Sequence, residues 1–355
     1  MESTWQAAVL ELENGTRQTL RDDGEFALYR VRCRSTGGGH VQPSLLVAPL
    51  REHTAPRSLR RLEHEYSLRA ELDSTWAAVP LGLVGHQGRP VLVLEDPGGE
   101  PLDRLVGAPL ELRQFLRVAI GLAAALGQVH QRGLIHKDIK PANTLVNAVT
   151  GQVWLMGFGI ASRLRRERQS PDPPEGLSGA LAYMAPEQTG RMNRSIDSRS
   201  DLYSLGVTLY EMLTGSLPFI ASDPMEWVHC HIARQPVPPG ERSKEVPAPV
   251  AAIVLKLLAK IAEERYQTAA GVEADLRRCL GEWETLRRIE AFTLGTRDTP
   301  DRLLMPGKLY GRDNDRDTLL AAFDQVVALE HRCWSWSAAI PGSVSPRWCM
   351  SCIKP

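Results

Sequence analysis

Apolar positions along the chain follow two periods, one suited to strands in the first third and one suited to helices beyond it. Phe26 to Val31, Leu45 to Val47 and Val91 to Leu94 are short β-favouring runs bounded by glycine, proline or charge, and they predict strands. Between the second and the third, Arg60 to Leu72 is a charged segment with Leu62, Tyr66 and Leu72 interspersed, which predicts a helix. From Glu111 to Gly133, Phe115, Ala119, Leu122, Leu126 and Val129 recur at helical spacing, so one face of a long helix is apolar and Gly133 ends it.

Asn143 to Val146 and Val153 to Leu155 predict a hairpin. The stretch from Ser162 to Leu177 is rich in Arg, Gln, Pro and Ser, has no periodicity, and is expected to be a mobile loop. Gly37-Gly38-Gly39 lies between predicted strands with no helix after it and reads as a hairpin loop. Further on, Asp201 to Leu213 carries Leu205, Leu209 and Met212 on one face and stops at Gly215. Ile253, Leu257 and Ile261 mark another helix, and Leu276, Leu280 and Trp283 a last one.

Composition narrows the function classes. The 355 residues are 43% hydrophobic, enough for a sizeable core. Net charge is +0 and the pI is near 7.1, so nothing points to nucleic acid or an anionic membrane surface. The six cysteines are scattered, no apolar signal segment opens the chain, and no run has the length of a membrane span. A reducing, cytoplasmic setting is the expectation.

The chemistry is concentrated in His136-Lys137-Asp138-Ile139-Lys140-Pro141-Ala142-Asn143, followed downstream by Gly157-Phe158-Gly159. Ala185-Pro186-Glu187, Asp201-Leu202-Tyr203-Ser204-Leu205-Gly206 and Arg265-Tyr266 then occur in order. This ordered set resembles the protein kinases. The resemblance implies an α+β, two-lobed protein kinase-like fold with a small β-rich N-lobe, a large helical C-lobe and a C-terminal extension. It implies Asp138 as the base for an acceptor hydroxyl, Lys140 against the γ-phosphate, and Asn143 as an oxygen ligand for a metal. Glu187 and Arg265 are implied to form a buried ion pair, Asp201 to anchor the catalytic loop, and His136 and Phe158 to be structural. Around the nucleotide it implies Gly24, Val47, Glu65, Leu94, Glu95 and Leu145. ATP and Mg2+ are the implied cofactors, and a protein substrate or signalling partner the implied partner. A hydrogen-bond cluster that merely keeps the fold is the alternative for Asp138, Lys140 and Asn143.

Departures from the family pattern fall on the nucleotide side. Gly157 stands where the family has a metal-binding aspartate, and magnesium prefers carboxylate and phosphate oxygens. Ala48 or Pro49 is expected at the position of the strand lysine that pairs with the helix glutamate, leaving Glu65 without that partner. Arg51 is the nearest cation in the sequence. Asp22-Asp23-Gly24-Glu25 keeps one glycine of the phosphate loop beside two acidic residues, which favours an ordinary turn. Lys137 replaces a phosphate-receiving arginine. Ala180 replaces a hydroxyl near the substrate. Together these argue against tight ATP and Mg2+ binding and against fast turnover.

Tyr183 to Arg194 further resembles the N-terminal serine/threonine-kinase-like domain of large bacterial signalling proteins that continue into an AAA-type ATPase module and often a sensor histidine kinase. Expected boundaries are an N-terminal tail at 1–17 and a kinase-like domain at 18–288, with an N-lobe at about 18–94 and a C-lobe at about 100–288. A linker and entry segment of a truncated ATPase module follow at 289–330. After Glu330, three of the eight tryptophans and three of the six cysteines fall in 332–355 with no acidic residue. This 331–355 tail is expected to be aberrant and poorly ordered, compatible with out-of-frame translation. Three functions follow: a degenerate regulatory or docking domain, a slow serine/threonine kinase using Asp138, or a non-functional gene fragment.

Overall fold

The computed structural model describes residues 17–33, 42–50, 55–163, 181–192 and 194–299, all within one compact unit. Five antiparallel strands form the small lobe: β1 (Gln18–Asp22), β2 (Phe26–Cys33), β3 (Gln42–Pro49), β4 (Pro80–His86) and β5 (Arg89–Glu95), in the order β1-β2-β3-β5-β4. Helix α1 (Pro56–Ser67) crosses over between β3 and β4 and packs on β4 and β5. It opens on Pro56, where the missing backbone N–H costs nothing. It lies a few residues earlier than its predicted span, so Leu72 falls beyond the helix and the turn that follows it.

Alternation along the strands sorts the sheet into two faces. Leu20, Phe26, Leu28, Leu45, Leu92 and Leu94 form one cluster with Leu62 of α1, and Val47 packs on it. Val31, Leu46, Val91 and Val93 form the other cluster, on which Ala48 packs. Leu145 and Met156 of the large lobe join the first, so that face lies over the cleft.

The large lobe is helical. Helix α2 (Leu112–Gln131) presents Phe115, Ala119, Leu122, Leu126 and Val129 to the core, as its periodicity predicts. β6 (Glu100–Pro101), β7 (Thr144–Val146) and β8 (Val153–Leu155) make a small second sheet beneath the cleft. Helix α3 (Ser198–Thr214) is buried on nearly every side, capped by the Asp197 carboxylate at its start and by Gly215 at its end. A Cβ on Gly206 would lie 2.7 Å from that of Leu257, so glycine permits the close approach of α3 to the later helix α6. Helices α4 (Pro224–Ile232), α5 (Pro239–Arg242), α6 (Ala248–Leu257) and α7 (Ala269–Leu286) complete the lobe. Ile261 lies beyond the end of α6 and is 41% exposed, so the predicted continuation of that helix does not occur.

Residues 289–299, read from sequence as the start of a linker, instead fold back on the large lobe. Ile289, Phe292 and Leu294 pack on its core. Asp298 accepts hydrogen bonds from the backbone N–H groups of Gln267 and Thr268, at 2.7 and 2.9 Å, at the start of α7. The expected ATPase entry segment and the 331–355 tail lie outside the described residues, as do Gly37 to Gly39, Arg51 and Ala180. Among the described residues no helix is long and apolar enough to cross a membrane.

Candidate active site

The catalytic loop is fixed from below. Asp201, in the first turn of α3, accepts from the backbone N–H groups of His136 at 2.8 Å and Lys137 at 2.7 Å, and lies 3.0 Å from His130 Nε2. His136 is fully buried against Phe158, ring centroids 4.5 Å apart, with Nε2 3.2 Å from the Met156 carbonyl. Burial holds the His136 pKa below its ordinary value, which keeps the ring neutral and Nδ1 free to accept from the Asp138 N–H at 3.3 Å. Glu187 and Arg265 form the implied buried pair, with N–O distances of 2.7 and 3.0 Å, and Ser200 Oγ donates to Glu187 at 2.7 Å. Burial alone would raise the Glu187 pKa. The charge and hydrogen bonds of Arg265, with help from Ser200, outweigh it and hold the carboxyl below its usual range.

Above this base, Asp138, Lys140 and Asn143 come together. Asp138 Oδ2 accepts from Lys140 Nζ and from Asn143 Nδ2, both at 2.8 Å, and Asn143 Nδ2 also reaches the Asp138 carbonyl at 2.9 Å. The Asp138 carboxylate is thus oriented by a cation and an amide. Asn143 also fills the room beside the Phe-Gly loop. Gly157 has φ +81, and a Cβ there would meet Asn143 side-chain atoms at 2.7–2.8 Å.

Glu65 of α1 turns toward this loop and accepts from the Gly157 N–H at 2.9 Å. Burial pushes its pKa up to about 7; the N–H groups of Phe158 and Gly157 and the charge of Arg21 pull the other way, while Asp138 adds to the rise. The strand register corrects one expectation. Ala48 packs on the outer cluster, whereas Leu45, Val47 and, by the same alternation, Pro49 face the cleft side, and none of them carries a charge.

The cation in the cleft comes from elsewhere in the fold. Arg21, on β1, donates through Nη1 to the Ala142 carbonyl and to Asn143 Oδ1, the latter at 3.1 Å. Its Nη2 lies 3.5 Å from Asp23, and its buried Nε makes no hydrogen bond. The glycine turn is equally self-contained. Gly24 N–H donates to Asp22 Oδ1 at 2.9 Å, and the N–H groups of Glu25 and Phe26 donate to Asp23 Oδ1 at 3.0 and 2.7 Å. Gly24 therefore sits in an ordinary aspartate-capped turn, and its amide, expected at the nucleotide, is taken by the chain. Val47, Leu94 and Leu145 do share the apolar cleft cluster, with Glu95 at its edge at the end of β5.

These donors do not fit a divalent cation. The oxygen of Asn143 that a metal would need accepts from a guanidinium, Gly157 offers no ligand, and Glu65 holds its proton up to about neutral pH. Among the described residues there is no group of three His, Cys, Asp or Glu side chains placed to hold a metal.

A five-stranded lobe over a helical lobe, with an Asp-Lys-Asn loop bolted to a buried aspartate, defines the protein kinase fold. The protein kinase domain model matches residues 52–275, more than half of the chain, and the chain belongs to that family. The serine/threonine-protein kinase PknB of Mycobacterium leprae is 40% identical over 189 residues, which are 53% of this chain and 30% of that protein. A probable serine/threonine-protein kinase of Corynebacterium efficiens is 31% identical over 280 residues, 77% of this chain and 42% of that protein. One from Streptomyces coelicolor is 36% identical over 193 residues, 54% of this chain and 28% of that protein. The chain thus matches less than half the length of each of these relatives.

Sequence reasoning missed Arg21. No local pattern marks it, because its contacts are made across more than a hundred residues of chain. The capping by Asp22 and Asp23 was legible as Asp-Asp-Gly, a turn-forming sequence.

Proposed function

We propose that this is a kinase-fold regulatory or docking domain of bacterial signal transduction that performs little or no phosphoryl transfer. One observation carries the reading: the Asn143 side chain fills the space beside Gly157, and its Oδ1 accepts from Arg21. Phosphoryl transfer depends on charge neutralisation around the phosphates. Here the carboxylate that would hold a metal is missing, and Val47 offers no cation from β3. The large lobe keeps the framework on which family members present surfaces and loops. The similarity of Tyr183 to Arg194 to the large bacterial signalling proteins supports a two-component setting.

A slow serine/threonine kinase is the second reading, favoured by the intact Asp138–Lys140 contact of 2.8 Å. In it Asp138 would accept the proton of the substrate hydroxyl. The full chain incubated with labelled ATP and either magnesium or manganese decides between the two, with Asp138→Asn as the control. The expected result is no labelling above that of the control. Labelling that vanishes in Asp138→Asn would establish the kinase. Gly157→Asp alone is expected not to restore labelling, since its side chain meets Asn143 and the strand cation is still missing.

A further inference from the structure

The cleft has two electrostatic positions that a nucleotide complex would complete, and in this chain both are filled by its own residues. At the catalytic loop the guanidinium of Arg21 bonds Asn143 Oδ1 and the Ala142 carbonyl. At the glycine turn the carboxylates of Asp22 and Asp23 take the three successive backbone N–H groups of Gly24, Glu25 and Phe26. Successive N–H groups at a turn form an anion-binding concavity, so these aspartates sit where phosphate oxygens would be received.

The same strand is strapped to the large lobe at neighbouring residues. Arg104, which follows β6, donates through Nη2 to the carbonyls of Thr19 at 2.8 Å and Leu20 at 2.9 Å. On β2, Arg30 grips the connection between the lobes, meeting Asp96 at 2.7 and 3.2 Å, the Gly99 carbonyl at 2.7 Å and Glu100 at 3.1 Å. The turn is also tied to α1, where Ser58 Oγ and Arg61 both reach Glu25. Arginine suits this work because its fork of donors satisfies several acceptors at once.

We propose that the cleft is self-liganded: Arg21 stands in for the cation, Asp22 and Asp23 stand in for the phosphates, and the lobes are clasped without a nucleotide. The clasp is an autoinhibitory contact, and it rests on the reading of the domain as non-catalytic. A nucleotide entering the cleft has to displace Arg21 from Asn143 and meets two carboxylates at the turn. The closed arrangement is then constitutive, and a partner recognises one shape of the domain.

Equilibrium binding of a fluorescent ATP analogue to the full chain tests this, with and without Mg2+, in wild type and in the double variant R21Q/D23N. Both substitutions remove a charge and leave a polar side chain, and the amide oxygen introduced at position 23 can still cap the turn. The double variant is expected to bind at least about tenfold tighter than wild type. Equal or weaker binding overturns the proposal; weaker binding would make Arg21 a ligand of the phosphates. Should the double variant fail to fold, hydrogen exchange of wild-type segments 18–26 and 138–146 decides. Protection there that ATP leaves unchanged supports the clasp, and slowing of exchange on adding ATP overturns it. Asp138-dependent labelling in wild type would instead overturn the proposed function, so the two failures are distinguishable.

Discussion

The underside of the catalytic loop and the cleft above it both bury carboxylates, and they treat them in opposite ways. Below, Glu187 meets the Arg265 fork and a serine hydroxyl, while Asp201 takes two backbone N–H groups and a histidine. Above, Glu65 has the N–H groups of Gly157 and Phe158 and the charge of Arg21, but no guanidinium fork, and Asp103, near Arg21 and Arg104, buries an oxygen that makes no hydrogen bond. Burial is the first cause acting on Glu187, Glu65 and Asp103 alike. Partners reverse its effect at Glu187, whereas Glu65 and Asp103 are raised. The comparison separates two parts of one inheritance. Glu187 has partners that outweigh its burial, whereas Glu65 and Asp103 do not.

The sharpest way to break the comparison is Arg265→Met. It strands the Glu187 carboxylate in a buried site and is expected to cost about 3–5 kcal/mol of stability, measured by urea unfolding. A loss below about 1 kcal/mol would show that the base of the large lobe does not depend on its paired charges.

Glu65→Gln probes the other side. The folded pKa of Glu65 is raised from 4.5 to about 7, so its contribution is fully present below about pH 4.5 and is lost as pH rises through 7. Wild type is therefore expected to lose stability over that window, by up to about 3 kcal/mol. The glutamine variant, which keeps the oxygen facing the Gly157 N–H, should lack that loss. Unfolding curves at pH 5 and pH 8 for both proteins supply the test, and parallel pH dependence would mean that Glu65 is paired after all.

The smallest effect calibrates the other two. Arg277 meets Glu273 at 2.7 Å across one turn of α7 with an exposed guanidinium, and Arg277→Ala is expected to change stability by no more than about 0.5 kcal/mol. A larger change would mean that surface pairs matter here as much as buried ones.

How much was legible varies with how local the cause is. Helix α2 was readable almost to the residue because a single apolar face and a terminating glycine specify it. β1 and β4 were not expected: Gln18–Asp22 is polar, and Pro80–His86 carries two glycines and a proline, so neither shows a strand pattern. Helix α1 was found but displaced, because Pro56 fixes its start and the charged residues beyond Ser67 mimic its continuation. In the site, Asp138, Lys140, Asn143, Glu187, Asp201 and Arg265 were all marked by motif spacing. Of the two positions expected for the missing strand cation, Ala48 packs on the outer cluster while Pro49 shares the cleft side of β3 with Val47, because a step of one residue exchanges the faces of a strand.

The chain alone determined the two-lobed kinase fold, the paired charges under the catalytic loop and the absence of a carboxylate before Phe158. Those features follow from residue identity at fixed spacing, which short-range geometry converts directly into position. Only the tertiary structure decided what fills the cleft. Arg21 meets Asn143 because the β1-β2 hairpin folds over the catalytic loop, and Glu65 rises toward neutrality because burial removes water and outweighs the charge of Arg21 and the N–H groups of Phe158 and Gly157. Both outcomes depend on which distant groups share one dry space, and no local pattern encodes that.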